Sequence, residues 1–251
     1  MRPRWRAILA IGAVLYLVAA VASVEVDLAR LQKGVPRGIE FLAGFAPPDF
    51  VTRGPEILAG VLESLWMTIT STVVGIVVSV PIALGAARNL APLPVYVVCR
   101  GIVAASRSFQ EVILAVFAVA MFGFGPFAGF VTLVVATVGF FAKLLAEDIE
   151  DMDPAAPEAI RATGAGWGSW FVWSVWPQIT PRFVGLSLYR LDINFRESAI
   201  VGIVGGGGIG ATLNTAFERY EFDSAAAVLL VIIGIVLVVE YTSGRIRERV
   251  Q

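Results

Sequence analysis

Charged and amide side chains recur in a part of this chain that is otherwise strongly apolar. Arg190, Asn194 and Glu197 have the spacing that places side chains on one face of a helix. An ionised group inside a membrane helix is costly unless it lines water or finds a partner. These residues therefore either contact an anion that crosses the membrane or form structural links that steady the helix. The sequence leaves both interpretations open.

Two further pairs of opposite charge follow the four-residue spacing that allows pairing along a helix. Asp192 precedes Arg196, and Arg107 precedes Glu111. Pairing is the favoured interpretation for Arg107 and Glu111, with anion contact as the alternative. With the hydroxyl of Ser198, the candidate residues of a translocation path are Arg107, Glu111, Arg190, Asn194, Arg196, Glu197 and Ser198.

Composition excludes several kinds of chemistry. The chain has no histidine and a single cysteine, Cys99, which rules out an internal disulfide, a Cys/His zinc site and a histidine-based triad. No Gly-x-x-x-x-Gly-Lys-Ser/Thr segment occurs, so the chain cannot bind ATP through a P-loop. We predict a non-catalytic protein with no metal site and no cofactor of its own.

A glycine-rich segment matches the dinucleotide-binding fingerprint in its letters only. Gly205-x-Gly207-x-x-Gly210 would need a preceding strand and a βαβ unit to bind a nucleotide, whereas a polar patch and another apolar run follow it. The glycines instead permit close approach to neighbouring helices and unusual dihedral angles. The predicted flexible loop comprises Gly205, Gly206, Gly207, Gly208 and Gly210.

The overall composition is that of a membrane protein. Hydrophobic residues make up 57% of the 251 residues and charged residues only 16%, and the mean hydropathy is +0.80. A soluble domain is nearer a quarter charged. The net charge of −1 and the lack of a basic cluster give no indication of nucleic-acid binding, so membrane lipid is the expected surrounding.

Apolar runs of bilayer length predict an all-α, polytopic membrane protein with about six transmembrane helices. They cover 7–24, 65–87, 95–122, 127–146, 169–194 and 224–239. The third is expected to be one long helix and the fifth to be interrupted near Pro177 and Pro181. Residues 199–217 are predicted to form a short or re-entrant element, because consecutive glycines disfavour a continuous helix. We assign 1–60 to the first span and an external loop with a short amphipathic piece, and 61–251 to the transmembrane domain.

Basic residues near both ends predict the orientation by the positive-inside rule. They are Arg2, Arg4, Arg6, Arg245, Arg247 and Arg249. Both termini are therefore predicted to be cytoplasmic, which requires an even number of crossings. The first apolar run is interpreted as a retained span rather than a secretory signal, because it is long for a signal and no small-x-small cleavage site follows.

A polar island, residues 147–166, separates two of the apolar runs. Asp153-Pro154 and Pro157 favour the start of a helix, and Glu158 suits its positive end. Gly164 and Gly166 then end it. We predict a short helix at about 154–166 on the cytoplasmic face.

The spacing in and after this island resembles the coupling motif of importer permeases of the ATP-binding-cassette (ABC) class. The matching positions are Glu158, Ala159, Gly164 and Pro177, with Ile160 in place of the second alanine of the family pattern. Ser174 and Trp176 replace its isoleucine and leucine. The resemblance implies a type I (MetI-like) permease fold in which this helix docks on an ATPase subunit.

Several short segments in order, from 65 to the C-terminus, are similar to phosphonate-type permeases. They read Gly-Pro-Phe-Ala-Gly at 125–129, Lys-Leu at 143–144, Ile-Arg-Ala-Thr-Gly-Ala at 160–165, Ser-Leu-Tyr-Arg at 187–190, Asn-Phe-Arg-Glu-Ser at 194–198 and Val-Gly-Ile-Val-Gly at 201–205. The resemblance implies a bacterial inner-membrane permease for phosphonate or phosphite. It also implies a second copy of the chain, two ATPase subunits that carry ATP and Mg²⁺, and an external binding protein.

Three other functions are considered. A permease of the same class could carry another small solute, such as an amino acid. An ion-coupled secondary transporter would show internal repeats and acidic residues at the midplane, whereas no convincing repeat occurs and the acids cluster in loops or at helix ends. A membrane enzyme would need a nucleophile–base pair, which we do not find.

Overall fold

The computed structural model describes residues 3–23 and 28–250, and every regular element in those ranges is helical. The chain divides into two compact units, Met1–Pro47 and Pro48–Gln251. The side chains of residues 3, 4, 6, 7, 28, 29, 31 and 247–250 lie outside the description. So do five of the six arginine side chains on which the predicted orientation depends, Arg245 being the exception.

The first unit contains two helices, α1 (Pro3–Ser23) and α2 (Leu28–Ala43). The first span predicted from the sequence corresponds to α1, in which Ile8–Ser23 is a short apolar helix; its expected last residue, Val24, is outside the described residues. The amphipathic piece of the predicted external loop is α2. Pro36 lies inside α2 without ending it. A proline removes one hydrogen bond of a helix, which sixteen residues tolerate.

The second unit is a bundle of nine helices along Pro48–Gln251 within the described residues. They are α3 (Gly54–Ala86), α4 (Leu93–Arg107), α5 (Glu111–Phe122), α6 (Pro126–Glu150), α7 (Ala155–Ala162), α8 (Trp167–Trp170), α9 (Trp176–Val201), α10 (Gly208–Glu218) and α11 (Phe222–Val250). Two π-helical turns, Phe171–Val175 and Gly202–Gly206, lie before and after α9. The core of the bundle lies between α3, α4, α6 and α9, around Ala83, Val103, Phe141, Leu145 and Ile179.

By length and composition, three described helices can cross a membrane: Gly54–Ala86, Pro126–Glu150 and Phe222–Ile246. Two bent pairs raise the number to five if each pair is one span. One is α4 with α5, bent by 90°, and the other is Trp167–Gly206 with α10, bent by 55°. The predicted count of about six is reached only if the short apolar helix of α1 is added.

The predicted long helix at 95–122 was wrong. It is broken at residues 108–110, between α4 and α5, at the 90° bend. Ser108 Oγ donates to the Ala104 carbonyl within the last turn of α4, Gln110 is extended, and the helix begins again at Glu111. No glycine or proline lies at residues 108–110, so the usual sequence marker of a helix end is missing there.

Two other boundaries differ from expectation. The second span begins at Gly54, well before residue 65. The fifth was expected to be interrupted near Pro177 and Pro181, but α9 continues past both to Val201. Pro177 lies in its first turn, where the missing N–H would have no helical partner. The prediction of a short element within 199–217 is confirmed: the chain breaks at Gly207 and continues as the eleven-residue α10.

Candidate translocation and coupling sites

Arg190 is the largest fully buried side chain of the described residues, with 1% of its surface exposed. Its Nε donates to Thr137 Oγ1 at 3.1 Å, and its Nη2 pairs with Glu197 Oε2 at 3.1 Å. The guanidinium also lies 5.3 Å from the centre of the Phe140 ring. Arg190 thus contacts Thr137 and Phe140 of α6 and Glu197 of α9. These contacts match the structural role, which is one of the two interpretations that the sequence left open.

Asn194 joins three helices at the centre of the bundle. Its fully buried side-chain amide donates to Thr72 Oγ1 of α3 at 2.7 Å and to Thr137 Oγ1 of α6 at 3.0 Å. Thr137 also donates to the Leu133 carbonyl at 2.6 Å. A hydroxyl has one donor and two acceptor positions, so Arg190, Asn194 and Leu133 satisfy Thr137 completely.

Arg196 and Ser198 lie on α9 but outside this network. Arg196 is 55% exposed and pairs with Asp192 across 2.9 Å, as the four-residue spacing predicted. Ser198 is buried and donates to the Phe195 carbonyl of its own helix at 2.7 Å. Among the predicted path residues of α9, the structure therefore brings together Arg190, Asn194 and Glu197 only.

Arg107 and Glu111 flank the break between α4 and α5. The predicted pairing is wrong: within the described residues they form no ion pair, because the bend removes the helical spacing. Both line a cavity of about 300 Å³ together with Ser106, Phe109, Gln110, Ala136 and Phe140. Glu111 also faces the Arg190–Glu197 pair, and Arg107 is exposed. Phe140 therefore lies between the two: its ring lines the cavity and also contacts Arg190 of the buried network.

The glycine loop ends against α3. Gly205, Gly207 and Gly208 have positive φ angles of 103°, 78° and 71°, which glycine adopts readily. A Cβ on Gly207 would lie 2.5 Å from Glu63 Oε1 and 2.7 Å from the backbone nitrogen of Pro126. Gly206 belongs to the π-helical turn and Gly210 to α10, and both are buried; the turn that precedes Gly207 is not a strand.

Two α3 side chains close the first turn of α10. Glu63 Oε1 accepts a hydrogen bond from the Gly208 N–H at 2.7 Å, and Ser64 Oγ accepts one from the Ile209 N–H at 2.9 Å. They satisfy backbone donors that a helix start leaves open. The negative charge of Glu63 also suits the positive end of the α10 dipole.

The predicted coupling helix is α7, Ala155–Ala162. Asp153 Oδ1 accepts a hydrogen bond from the Ala155 N–H at 3.0 Å, as the helix-start chemistry predicted. Glu158 and Ala159 are exposed and Ile160 is partly buried. Gly164 follows the helix with a φ of +77°, while Pro177 lies exposed in the first turn of α9.

Charges at the end of α6 attach the polar island to the bundle. Arg100 Nη2 lies 2.9 Å from both carboxylate oxygens of Glu150, and Asp148 pairs with Arg182 at 3.3 Å. Part of the acidity of the island therefore serves internal links. No group of three His, Cys, Asp or Glu side chains in the described ranges could hold a metal ion.

Comparison with known proteins identifies the family. The phosphite transport system permease protein PtxC of Stutzerimonas stutzeri is 38% identical over 224 residues, covering 88% of this chain and 81% of PtxC. The chain belongs to the phosphonate- and phosphite-type family of ABC permease subunits. No family model matches it.

A second relative is longer than this permease. The phosphate-import permease protein PhnE of Mycolicibacterium smegmatis is 37% identical over 233 residues, 92% of this chain. The permease spans 44% of that relative's length.

Solved structures agree with the predicted MetI-like fold. An inward-facing methionine ABC transporter, MetNI, aligns with a TM-score of 0.68 at 26% identity, covering 78% of the permease and 96% of that chain. An amino acid ABC transporter solved with histidines aligns at 0.67 and 18% identity, over 80% and 96%, and shows the fold alone. The permease is a multi-pass inner-membrane protein and a subunit of a transport complex.

Sequence reasoning missed several side chains that organise these sites. They are Thr72 and Thr137 in the buried network, Glu63 and Ser64 at α10, and Trp170 and Gln178 beside α7. Threonine and serine in apolar runs usually hydrogen-bond to the backbone of their own helix. Their positions in the sequence therefore did not indicate contacts with other helices. Glu63 was detectable as an acid next to the predicted second span, but nothing in the sequence indicated its partner, 145 residues away.

Proposed function

We propose that this permease imports a small phosphorus oxyanion, phosphonate or phosphite, with energy from ATP that partner ATPase subunits hydrolyse. Two copies of the chain would stand on two ATPase subunits, and an external binding protein would deliver the solute. ATP and Mg²⁺ would be bound by the ATPases, because this chain has no P-loop. The names of the relatives, phosphite transport and phosphate import, support the class of solute.

The observation that carries the proposal is α7. This short helix exposes Glu158 and Ala159 while Pro157 is buried against the bundle, so one side is free for another protein. A left-handed glycine, Gly164, ends it where no other atom lies within 4 Å of an added Cβ. Docking of an ATPase there would place α7 in the cytoplasm, and six crossings would then place both termini on the same side.

For the solute path, the geometry favours Arg107 over Arg190. Arg190 is buried and already paired with Glu197, so an anion would have to displace an internal partner. Arg107 is exposed and lines the 300 Å³ cavity at the broken helix. Irregular backbone at membrane depth is tolerated where it lines water or is buried in protein. We assign solute contact to Arg107 and positioning of the cavity wall to Arg190, Asn194 and Glu197.

Glu111 in the same cavity opposes tight retention of an anion. A transport site must bind strongly enough for the solute to enter and weakly enough for it to leave. Glu111, which faces Glu197, would lower the affinity that Arg107 provides. Alternating access then follows if ATP and the loaded binding protein favour the outward-open state.

The test is reconstitution of the complex from its host membranes into liposomes. We expect phosphite or methylphosphonate, with the binding protein, to stimulate ATP hydrolysis and to be taken up only when ATP is present. Uptake without the ATPase, or driven by an ion gradient alone, would contradict the proposal. Because solved neighbours include a methionine transporter, methionine serves as the second solute, and selective stimulation by it would reassign the substrate.

Matched variants test each site separately. Glu158→Lys should reduce recovery of the ATPase with the permease, and Gly164→Ala should weaken coupling because alanine is strained at a φ of +77°. Gly166→Ala is the control, since its φ of −65° suits any residue and its surroundings are open. Arg107→Gln should lower uptake, with Arg88→Gln as the control of equal charge change, because Arg88 is exposed and only its backbone N–H donates to Glu150.

A further inference from the structure

The inner side of α7 is joined to the bundle by one tryptophan. The Trp170 indole N–H donates to the Pro157 carbonyl at 3.0 Å, in a buried bond. The guanidinium of Arg161 lies 4.2 Å from the centre of the Trp170 ring, within the range of a cation–π contact. Trp170 therefore contacts α7 at two points, one in its first turn and one in its last.

The other side of Trp170 is packed into the core. Only 2% of its surface is exposed, and it belongs to the same buried cluster as Ile149, Val175 and Ile179. Protein cores are close-packed and transmit displacement rather than absorb it. A shift of α7 at Pro157 therefore acts on the start of α9, the helix that carries Arg190 and Asn194 further along.

Gln178 makes a second link between α9 and the segment before α7. Its Oε1 accepts from the Asp153 N–H at 3.0 Å, and its Nε2 lies 3.3 Å from the Asp153 carbonyl and 2.9 Å from the Ser174 carbonyl. One amide thus binds both backbone groups of Asp153, two residues before α7 begins. Gln178 holds Asp153, just before α7, and Trp170 holds Pro157, in the first turn of α7. Together they attach the start of α7 to the start of α9.

We propose that Trp170 and Gln178 form a strut that transmits movement of α7 to α9, and so couples the ATPase to the solute path. The assignment rests on the proposed function. It concerns positioning residues, since neither side chain reaches the exposed face of α7 or the cavity at Arg107. The π-helical turn Phe171–Val175 lies between Trp170 and α9. Such turns often occur at functional sites. The Trp170 ring packs before this turn, and the Gln178 amide on α9 bonds to the Ser174 carbonyl within it.

The test uses the whole complex with the ATPase and binding protein. Trp170→Phe keeps an aromatic ring beneath Arg161 but removes the N–H, and Gln178→Leu keeps the volume but removes the bonds to Asp153. For each variant we expect normal recovery of the ATPase and normal basal hydrolysis. The solute-stimulated part of hydrolysis and uptake should fall about fivefold or more, the lower end of typical coupling between sites.

Trp173→Phe is the matched control, because Trp173 lies in the same turn but is 72% exposed; it should keep full stimulation. Full stimulation in both Trp170→Phe and Gln178→Leu would overturn the strut, as would loss of folding in both, since the residues would then be structural only. Failure of the wild-type complex to respond to any phosphorus oxyanion would instead refute the proposed function. A thermal unfolding curve of each complex separates these outcomes.

Discussion

The side-chain amide of Asn194 donates to Thr72 Oγ1 at 2.7 Å, joining α9 to α3 across 122 positions of sequence. The same amide reaches Thr137 of α6, so both of its N–H groups are satisfied. Polar groups hidden from water hold membrane helices together because their unpaired alternatives are unfavourable. Asn194 thus fixes the three helices around the start of the proposed path.

Removing this contact should loosen the bundle. Asn194→Leu leaves the acceptors of Thr72 and Thr137 without their donor, and we expect a loss of about 0.6–2 kcal/mol of stability, the range for such bonds in membranes. Thr72→Val should cost less, because Thr137 still accepts from Asn194. Thermal unfolding of the complex in nanodiscs measures both. Thr70→Val, which removes an exposed hydroxyl bonded to its own helix, is the control and should change little.

The Arg190–Glu197 pair predicts strong non-additivity. Removing one member of a buried pair leaves an uncompensated charge and costs about 3–5 kcal/mol, whereas replacing both residues by apolar ones is often neutral. Arg190→Met alone should therefore be poorly folded, and Arg190→Met with Glu197→Met should recover most of the stability and much of the uptake. Glu111, which faces both groups, is kept in all variants.

Uptake by the double variant decides between the two interpretations that the sequence left open. If Arg190 is structural, transport returns with folding. A double variant that unfolds at the wild-type temperature but carries no solute would assign Arg190 to the path itself. Thermal unfolding and uptake measured on the same preparation distinguish the two results.

Much of the fold followed from the sequence because hydropathy, prolines and glycines report local structure. The short element within 199–217 and the helix start at Asp153 were both predicted from such signals and confirmed. The break at residues 108–110 was not, since no glycine or proline marks it. Its consequence reached the candidate site: the expected Arg107–Glu111 pair depended on a continuous helix.

Long-range partners were beyond sequence reasoning for a different reason. The spacing along α9 placed Arg190, Asn194 and Glu197 on one face, and all three do enter one network. Their contacts on α3 and α6, Thr72 and Thr137, depend on how helices cross, which single-sequence periodicity does not encode. The charged residues and their spacing therefore indicated the network, but they could not show that Arg190 is paired with Glu197.

Acid pH should weaken the contacts between the loop 48–53 and the start of α11. These contacts are the hydrogen bond from the Asp49 N–H to the Asp223 carbonyl and the Arg53–Glu221 ion pair. Hydrogen bonds from the Thr52 side chain, and then from the backbone N–H groups of Val51 and Thr52, lower the pKa of Asp49. The hydrogen bond from Arg53 lowers the pKa of Glu221. A carboxyl group whose pKa is lower in the folded state stabilises that state at any pH above its unfolded-state pKa, which is about 4. This stabilisation is lost as the pH falls through the folded-state pKa.

Hydrogen exchange, corrected for the intrinsic rate, measures this effect. Protection of the Val51 and Thr52 amides should be constant above about pH 5 and decline below pH 4. Glu221→Gln should show weakened protection at neutral pH and a smaller decline in acid, because one titrating group is gone. Equal pH profiles for this variant and the wild type would contradict the role of the Arg53–Glu221 pair.

The final prediction concerns the dipole of α10, which has an acid at each end. Glu63 accepts from the Gly208 N–H at the positive end, whereas Glu218 is the last residue of the helix and bonds Asn214. Glu63→Gln keeps the acceptor but loses the charge, which should cost about 0.3–2 kcal/mol. Glu63→Leu should cost more, because a backbone N–H is left unpaired.

Glu218→Gln removes the same charge at the opposite end and serves as the matched control. A negative charge is unfavourable near a helix C-terminus, so this variant should be neutral or slightly stabilising. Thermal unfolding of the complex and hydrogen exchange at Gly208 and Ile209 report the difference. Equal destabilisation by Glu63→Gln and Glu218→Gln would show that general loss of charge, not capping of α10, explains the effect, and that the glycine loop is held by packing alone.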